Sequence, residues 1–279
     1  SERVSSMRHV IVHYHIFKNA GTTLEYILDK NFGSSWARFE GDHRNCLLTG
    51  ADLLAFLSEN PRVQAVSSHQ LRYPKPQAEA HVFFDMFFLR DPIDRLFSIY
   101  RWFRRIPPSD DFLSRLAKER SMGEFIGYLV DKYPHYLNDV QVNFLANGGT
   151  YYRPPGRRDL DAAIEVMLRA AVPGVVDAFD TSWIAAAYFL SPSFPNLDCR
   201  YVPHNTSTEF ESTLENRLKQ VRDSCGKALY RQLCALNELD AILLQRAREE
   251  VRRRFRLVPD HARKLSELKT AVAQAGTRS

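Results

Sequence analysis

Two short segments of the sequence combine a basic side chain with small or hydroxyl-bearing residues. The first, residues 18–23, reads KNAGTT and follows the β-rich run 10–16. A backbone curled at this point directs several N–H groups at one anion, and the positive end of the following helix adds to the attraction. Gly21 permits close backbone approach, and Asn19 tolerates unusual dihedrals. The residues predicted to form this phosphate cradle are Lys18, Asn19, Ala20, Gly21, Thr22 and Thr23.

The order of residues in this loop differs from that of nucleoside triphosphatases. Their loop reads GxxxxGK[ST], whereas here Lys18 precedes Gly21. The lysine and the magnesium-binding hydroxyl of a kinase are therefore not in their usual order. The order of residues in this loop predicts an enzyme that requires no metal. An ATP- and magnesium-dependent phosphotransferase is kept as the alternative interpretation.

The second segment pairs an arginine with a serine eight positions later. Arg90 directly follows the apolar run 82–89 (VFFDMFFL), and Ser98 falls about two turns into the next predicted helix. Arginine binds phosphate through bidentate, charge-assisted hydrogen bonds, and serine adds a neutral donor. We therefore predict that Arg90 and Ser98 hold a second phosphate group.

One of the nine histidines is placed to act as a base. His69 follows the predicted strand 63–68, so its imidazole should share a sheet edge with Lys18 and Arg90. His13 and His15 lie in the first strand and are interpreted as core residues. If His69 only positions the substrate group that loses a proton, a carboxylate would take that proton, and the candidates are Glu40 and Asp42.

Strands alternate with helices along the chain, which predicts an α/β fold with a central parallel sheet flanked by helices. The apolar run 82–89 is typical of a strand buried on both faces. Further strands are predicted within 172–179 and at 199–202, and residues 211–256 are predicted to be helical. We expect a single domain over residues 1–279, with its core at about 8–257 and a fraying polar tail at 258–279.

The composition is that of an ordinary soluble globular protein, and its mild positive charge fits an anionic ligand as well as it fits scattered surface arginines. The net charge is +5 and the isoelectric point is near 9.0. No apolar run reaches the length of a membrane span, and the first residues do not resemble a signal peptide. We expect a cytoplasmic enzyme, although a trimmed lumenal domain is also consistent with the sequence. A non-catalytic nucleotide-binding module is a further alternative, but no nucleic-acid-reading pattern supports a nucleic-acid partner.

Both segments resemble those of sulfotransferases that use 3′-phosphoadenosine-5′-phosphosulfate (PAPS). Residues 15–23, HIFKNAGTT, are similar to the HIPKTGGT loop of the carbohydrate branch, which includes heparan, chondroitin and bacterial enzymes. Residues 89–100 resemble the family's 3′-phosphate element. Weaker similarities lie at 138–141 (NDVQ) and 237–240 (NELD), and residues 204–208 stand where the family closes over the nucleotide.

This resemblance implies a P-loop NTPase-like sulfotransferase fold and a specific reaction. Lys18 would contact the leaving phosphosulfate oxygen, the loop backbone would hold the 5′-phosphate, and Arg90 with Ser98 would hold the 3′-phosphate. PAPS would be the co-substrate and 3′-phosphoadenosine-5′-phosphate (PAP) the product. The acceptor would be a hydroxyl, preferably of an oligosaccharide, with a tyrosyl peptide or a small molecule as alternatives, and His69 would be its base. Two groups of basic residues are candidates to bind an acidic acceptor: the pair Arg104–Arg105 and the three arginines at 252–254.

Overall fold

The computed structural model describes residues 6–203 and 212–277, and it contains a five-stranded sheet. All four strand pairings are parallel, and the order across the sheet is β2-β3-β1-β4-β5. The strands are β1 Arg8–Tyr14, β2 Trp36–Arg38, β3 Ala65–Ser68, β4 His81–Leu89 and β5 Val172–Val175. The predicted α/β class with a central parallel sheet is confirmed.

Twelve helices surround the sheet or follow it in the described part of the chain. They are α1 Gly21–Phe32, α2 Gly50–Glu59, α3 Pro92–Arg105, α4 Phe112–Glu119, α5 Met122–Lys132, α6 Val140–Asn147, α7 Arg157–Arg169, α8 Phe179–Leu190, α9 Leu214–Cys225, α10 Lys227–Leu236, α11 Glu238–Arg256 and α12 His261–Thr277. Single turns of 3₁₀-helix lie at 33–35, 134–136 and 176–178. The C-terminal part of the molecule is helical, as predicted.

The two central strands form the middle of the hydrophobic core. Most of β1 and the second half of β4 are buried, which matches their nearly continuous apolar sequences. Side chains on the two sheet faces belong to separate clusters: Val10 and Phe87 pack on one side, and Ile11 and Phe88 on the other. Since burial on both faces leaves these strands little freedom, the residues that follow them are held in defined positions.

The turn from β4 into α3 is built by local sequence. Asp91 is the N-cap of α3, and its side chain accepts hydrogen bonds from the N–H groups of Ile93 and Asp94 at 2.9 and 3.0 Å. Pro92 is the first helical residue, where its missing N–H costs nothing. The helix therefore starts immediately after Arg90, and its first turns lie beside the edge of the sheet.

Two predictions about elements were wrong, and one strand was missed. Residues 199–202 are not a strand but an irregular segment, and β2 was missed because three residues are too few to show a periodicity. Residues 258–279 do not begin as a fraying tail: α12 covers most of them, and its Leu268 is buried with Val258 and with Ile184 of α8. The apolar spacing of α12 is what allows it to pack on α8.

Candidate active site

A cavity of about 640 Å³ opens at the edge of the sheet where the parallel strands end. Segments after all five strands contribute side chains to it, together with the start of α1 and one face of α3. The described residues that line it are His15, Phe17, Lys18, Ala20, Gly21, Thr22, Thr23, Glu25, Arg38, Glu40, His69, Arg90, Ser98, Trp102, Val176, Phe179, Tyr201 and Pro203. Apart from Asn19, every predicted site residue borders this one cavity.

The loop after β1 has an unusual backbone that positions the start of α1. Lys18 and Ala20 have φ values of 65° and 61°, in the left-handed region. Unusual dihedrals were expected at Asn19. They occur instead at the residues on either side of it. The first backbone bond within α1 is that from Leu24 N–H to Ala20 C=O, so earlier N–H groups face the cavity side of the helix end.

Gly21 is required by a side chain as well as by any anion. A Cβ atom at this position would lie 1.6 Å from Nε2 of His15, so only glycine lets the imidazole pack against the helix start. The sequence predicted a close approach at Gly21, and the structure shows that His15 is one group that makes it.

The carbonyl groups of the loop are held by arginines. Nη1 of Arg90 donates to the carbonyl of Lys18 at 2.8 Å, and Nε of Arg95 donates to that of Phe17 at 3.0 Å. Arg95 is buried, and burial lowers its pKa to about 10 while the charge of Asp240 opposes that effect. Since Arg90 and Arg95 hold these two carbonyl groups, the orientation of the loop backbone is fixed by arginines at the start of α3 and just before it.

Arg90 has ionic partners of its own. Its Nε lies 2.9 Å from a carboxylate oxygen of Asp94, which also pairs with Arg217 of α9 at 2.6 Å. Asp94 is only 4% exposed at its side chain, so it orients both guanidinium groups from a buried position. Ser98 is buried one turn further along α3 and lines the cavity together with Arg90. The predicted arginine–serine pair is therefore brought together at one wall.

The side chain of Asn19 is directed into the protein. Its amide nitrogen donates to the carbonyl of Phe88 and to Oε1 of Gln141, both at 2.9 Å, and the residue is buried. Its backbone N–H donates to the carbonyl of Ile16 at 3.1 Å. Asn19 was predicted to bind the ligand; in this structure its amide nitrogen and backbone N–H donate to the protein, and its Oδ1 is buried without a hydrogen-bond partner among the described residues.

His69 occupies the opposite wall and is oriented by Glu40. One carboxylate oxygen of Glu40 accepts from the backbone N–H of His69 at 2.8 Å and lies 3.0 Å from Nδ1 of the ring. A carboxylate only accepts, so Nδ1 carries the proton and Nε2 is left with its lone pair. In this arrangement one of the two groups can accept a proton while the other holds it in place.

Two further groups, which sequence reasoning assigned to the core or missed, extend this wall. The ring of His15 packs against that of His69 with centroids 3.8 Å apart and planes tilted by 31°, and its Nδ1 lies 3.2 Å from Glu25. Burial lowers the pKa of His15, although the hydrogen bond to Glu25 opposes the shift. Burial alone would raise the pKa of Glu25, but hydrogen bonds and charges from His15 and Arg38 outweigh it and lower the pKa to about 2. Each of the two neighbouring imidazole rings is thus hydrogen-bonded to a carboxylate, His15 to Glu25 and His69 to Glu40.

Several other expectations do not meet at the cavity. Asp42 is exposed and does not appear among the described lining residues, and neither do Arg104, Arg105 or the arginines at 252–254. Arg253 and Arg254 instead pair with Glu250. The basic residue that does line this wall is Arg38 from β2. Residues 204–208, predicted to close over the nucleotide, lie outside the described residues.

Residues 6–203 and 212–277 were searched for metal-binding groups and for helices that could cross a membrane. No group of three or more His, Cys, Asp or Glu side chains there is arranged to hold a metal ion. No helix in that part of the chain combines the length and the apolar character needed to cross a membrane.

Comparison with known proteins identifies the family. A model of the sulfotransferase family matches residues 2–141, which include the loop after β1, His69, Arg90, Ser98 and Gln141. An uncharacterized protein of Archaeoglobus fulgidus is 25% identical over 247 residues, covering 86% of this chain and 96% of that protein. Its likeness thus extends beyond the matched region into the C-terminal helices. The matched half of the chain contains most residues that line the cavity, and the chain belongs to the sulfotransferase family.

Proposed function

We propose that this sulfotransferase uses PAPS as its sulfuryl donor and a hydroxyl group, preferably of a carbohydrate, as its acceptor. The observation that supports this most strongly is the shape of the site: one cavity connects the phosphate-type loop and the Arg90–Ser98 wall to the imidazole of His69. Such a transfer needs binding positions for the two separated phosphate groups of the donor. It also needs a base on the opposite side of the cavity.

The order of the strands supports a division of the cavity. The loop after β1 is central; Arg90, Val176 and Phe179 follow β4 and β5 on one side, while Glu40 and His69 follow β2 and β3 on the other. In our proposal the β4–β5 side takes the nucleotide, with its 3′-phosphate at Arg90 and Ser98. Phe179 and Tyr201, whose rings are 5.1 Å apart, offer an aromatic surface to the adenine.

The proposed transfer is an in-line displacement at sulfur. The acceptor oxygen attacks the sulfur atom, the bond from sulfur to the bridging phosphate oxygen breaks, and PAP leaves with the negative charge on that oxygen. Lys18 and the first N–H groups of α1 stabilise this charge. The acceptor proton passes to Nε2 of His69, whose Nδ1–H is held by Glu40.

The choice of a carbohydrate rests on the polarity of the acceptor wall. Glu25, Arg38, Glu40 and His69 line that side, so a hydroxyl-rich acceptor finds several hydrogen-bond partners there. A tyrosyl peptide or a phenolic small molecule would use a more apolar wall, and these stay as the second and third acceptor classes. The cytoplasmic location and the single-domain organisation remain predictions.

A thermal-shift panel with PAP, PAPS, ADP and ATP, in the presence of excess EDTA, tests the donor class. PAP at a hundredfold excess over its Kd should stabilise the protein by about 2.7 kcal/mol. ADP should act more weakly, because it has no 3′-phosphate for Arg90. Equal shifts with PAP and ADP would overturn the assignment.

The same preparation distinguishes the remaining alternatives through turnover. Formation of PAP from PAPS with an oligosaccharide acceptor should persist in EDTA. Activity that appears only with ATP and added magnesium would instead indicate a phosphotransferase. Binding of PAP without turnover of PAPS on any acceptor class would indicate a nucleotide-binding module.

A further inference from the structure

Two sequence segments with no assigned role meet behind the nucleotide wall. Gln141 lies in the first turn of α6, and Asp240 lies in the first turn of α11, 99 positions later. The carboxylate of Asp240 accepts from the backbone N–H groups of Gln141 at 3.2 Å and Val142 at 2.8 Å. Residues 138–141 and 237–240 therefore form a single buried junction rather than two separate features.

From this junction, the side-chain amide of Gln141 reaches both phosphate-binding elements. Its Oε1 accepts from Nδ2 of Asn19 and from the backbone N–H of Arg90, both at 2.9 Å. Its Nε2 donates to the carbonyl of Arg90 at 2.8 Å and to Asp240 at 3.3 Å. All hydrogen-bonding positions of the amide are thus in use.

The orientation of this amide is determined by its partners. The backbone N–H of Arg90 can only donate and the carboxylate of Asp240 can only accept, so exchanging oxygen and nitrogen would break both contacts. Gln141 is 1% exposed and Asn19 is 2% exposed, so any lost bond would leave a polar group buried without water. The amide therefore has one stable position.

We propose, on the basis of the proposed function, that Gln141 is a positioning residue that fixes the 18–23 loop and Arg90 at one mutual distance, and so selects ligands with two phosphate groups at that distance. It holds both backbone polar groups of Arg90 and the side chain of Asn19, while Arg90 itself holds the carbonyl of Lys18. Asp240 anchors Gln141 from the far side. A nucleotide with a single phosphate uses only one of the two elements and does not depend on their spacing.

The test compares affinities for PAP and for 5′-AMP, which lacks the 3′-phosphate. In Gln141→Met, which keeps the side-chain length but removes every hydrogen bond, the preference for PAP over 5′-AMP should fall about tenfold. The matched control is Val142→Ala, which removes buried apolar volume from the same helix and leaves the amide intact. It should lower the melting temperature without changing the preference.

An unchanged preference in Gln141→Met, with a clear preference in the wild type, overturns the proposal. If Gln141→Met does not fold, Asn19→Ala removes one of the same hydrogen bonds from the loop side and should also reduce the preference. Retention of the full preference in that variant would count against the proposal.

Failure of the proposed donor would appear differently, as a wild-type protein with no preference for PAP over 5′-AMP. Hydrogen exchange then decides the positioning claim. Amides in residues 16–24 and 88–92 should exchange faster in Gln141→Met than in Val142→Ala. Equal exchange in the two variants would contradict the claim whatever the donor.

Discussion

The two walls of the cavity are built in different ways. On the proposed nucleotide side, Asn19, Asp94, Arg95 and Gln141 are all buried, and the side chain of each makes hydrogen bonds to the backbone or to another side chain. On the acceptor side, the side chains of His69 and Arg38 are 46% and 66% exposed. The nucleotide wall is thus held by buried groups behind it. On the acceptor wall, His69 and Arg38 are held by Glu40 and Glu25, which line the cavity beside them.

This difference has a physical consequence for each half of the reaction. Groups that are fixed before the ligand arrives lose little entropy on binding and discriminate by geometry. Exposed side chains adapt to acceptors of different shape, but each contact contributes less because water competes for it. We therefore expect substitutions on the nucleotide wall to change affinity and selectivity for the donor. Substitutions on the acceptor wall should change turnover while donor binding stays intact.

The largest effect is expected at His69. His69→Ala should reduce turnover by about 10²- to 10⁴-fold, since it removes the residue that we propose as the base for the acceptor proton. His43→Ala, which changes an exposed histidine of the neighbouring loop, is the control and should leave turnover unchanged. Initial rates of PAP formation measure both. Near-normal turnover in His69→Ala, with only acceptor affinity lost, would reduce His69 to a binding residue.

A smaller loss is expected at the centre of the cavity. Lys18→Ala should lower turnover by about 10²- to 10³-fold, the scale for removal of one donor from a transition-state charge. PAP affinity should change less, because the backbone of the loop and Arg90 remain. Lys132→Ala, at a lysine with a 61% exposed side chain, is the matched control. If Lys18→Ala turns over at the control rate, Lys18 has only a structural role.

Glu40 provides a finer test of the acceptor wall. Glu40→Gln can still accept from Nδ1–H of His69 but loses the negative charge that stabilises the protonated ring. Turnover should fall by about five- to tenfold, the difference between a charge-assisted and a neutral hydrogen bond. Glu59→Gln, at an exposed glutamate that ends α2, should have no effect. A loss as large as that of His69→Ala would instead make Glu40 the group that takes the proton.

The smallest expected effect concerns stability behind the nucleotide wall. Burial raises the pKa of Asp139 to about 7, and the charge of Asp240 adds to this while backbone hydrogen bonds oppose it. Because the pKa of the folded state lies above the unfolded value, its contribution to stability is complete below about pH 4 and is lost as pH rises through about 7.

Asp139→Asn should remove that loss, so its gain in melting temperature should grow from about pH 5 to about pH 8. Asparagine also tolerates the left-handed φ of 45° at this position. Asp131→Asn, at a 72% exposed aspartate, is the control and should show a flat difference. A gain in Asp139→Asn that does not depend on pH would contradict the assigned pKa.

The comparison of the two walls also explains what the sequence could predict. Local sequence patterns were sufficient to predict site residues that directly follow a strand. The loop at 18–23, Arg90 with Ser98, and His69 all border one cavity. The pairing of His69 with Glu40 was not evident, although both residues had been considered. Their elements become neighbours only through the short strand β2, which has too few residues to be recognised.

Contacts between distant residues left no comparable signal. Gln141 contacts Asn19 across 122 positions and Asp240 across 99, and no local spacing encodes either contact. The hydrogen bond from Asn19 to Gln141 could not be predicted for the same reason. By contrast, the error over residues 258–279 was avoidable, since Leu265, Leu268 and Val272 follow a helical spacing that predicts a packed face.

The separation of the two walls is tested most directly by the Kd for PAP in three proteins: wild type, His69→Ala and Arg90→Gln. Calorimetric titration should give values within about threefold of each other for the wild type and His69→Ala. Arg90→Gln should bind PAP about ten- to a hundredfold more weakly, the cost of losing charge-assisted bonds to a phosphate. Equal losses in both variants, or a larger loss in His69→Ala, would contradict the division of the cavity into a nucleotide wall and an acceptor wall.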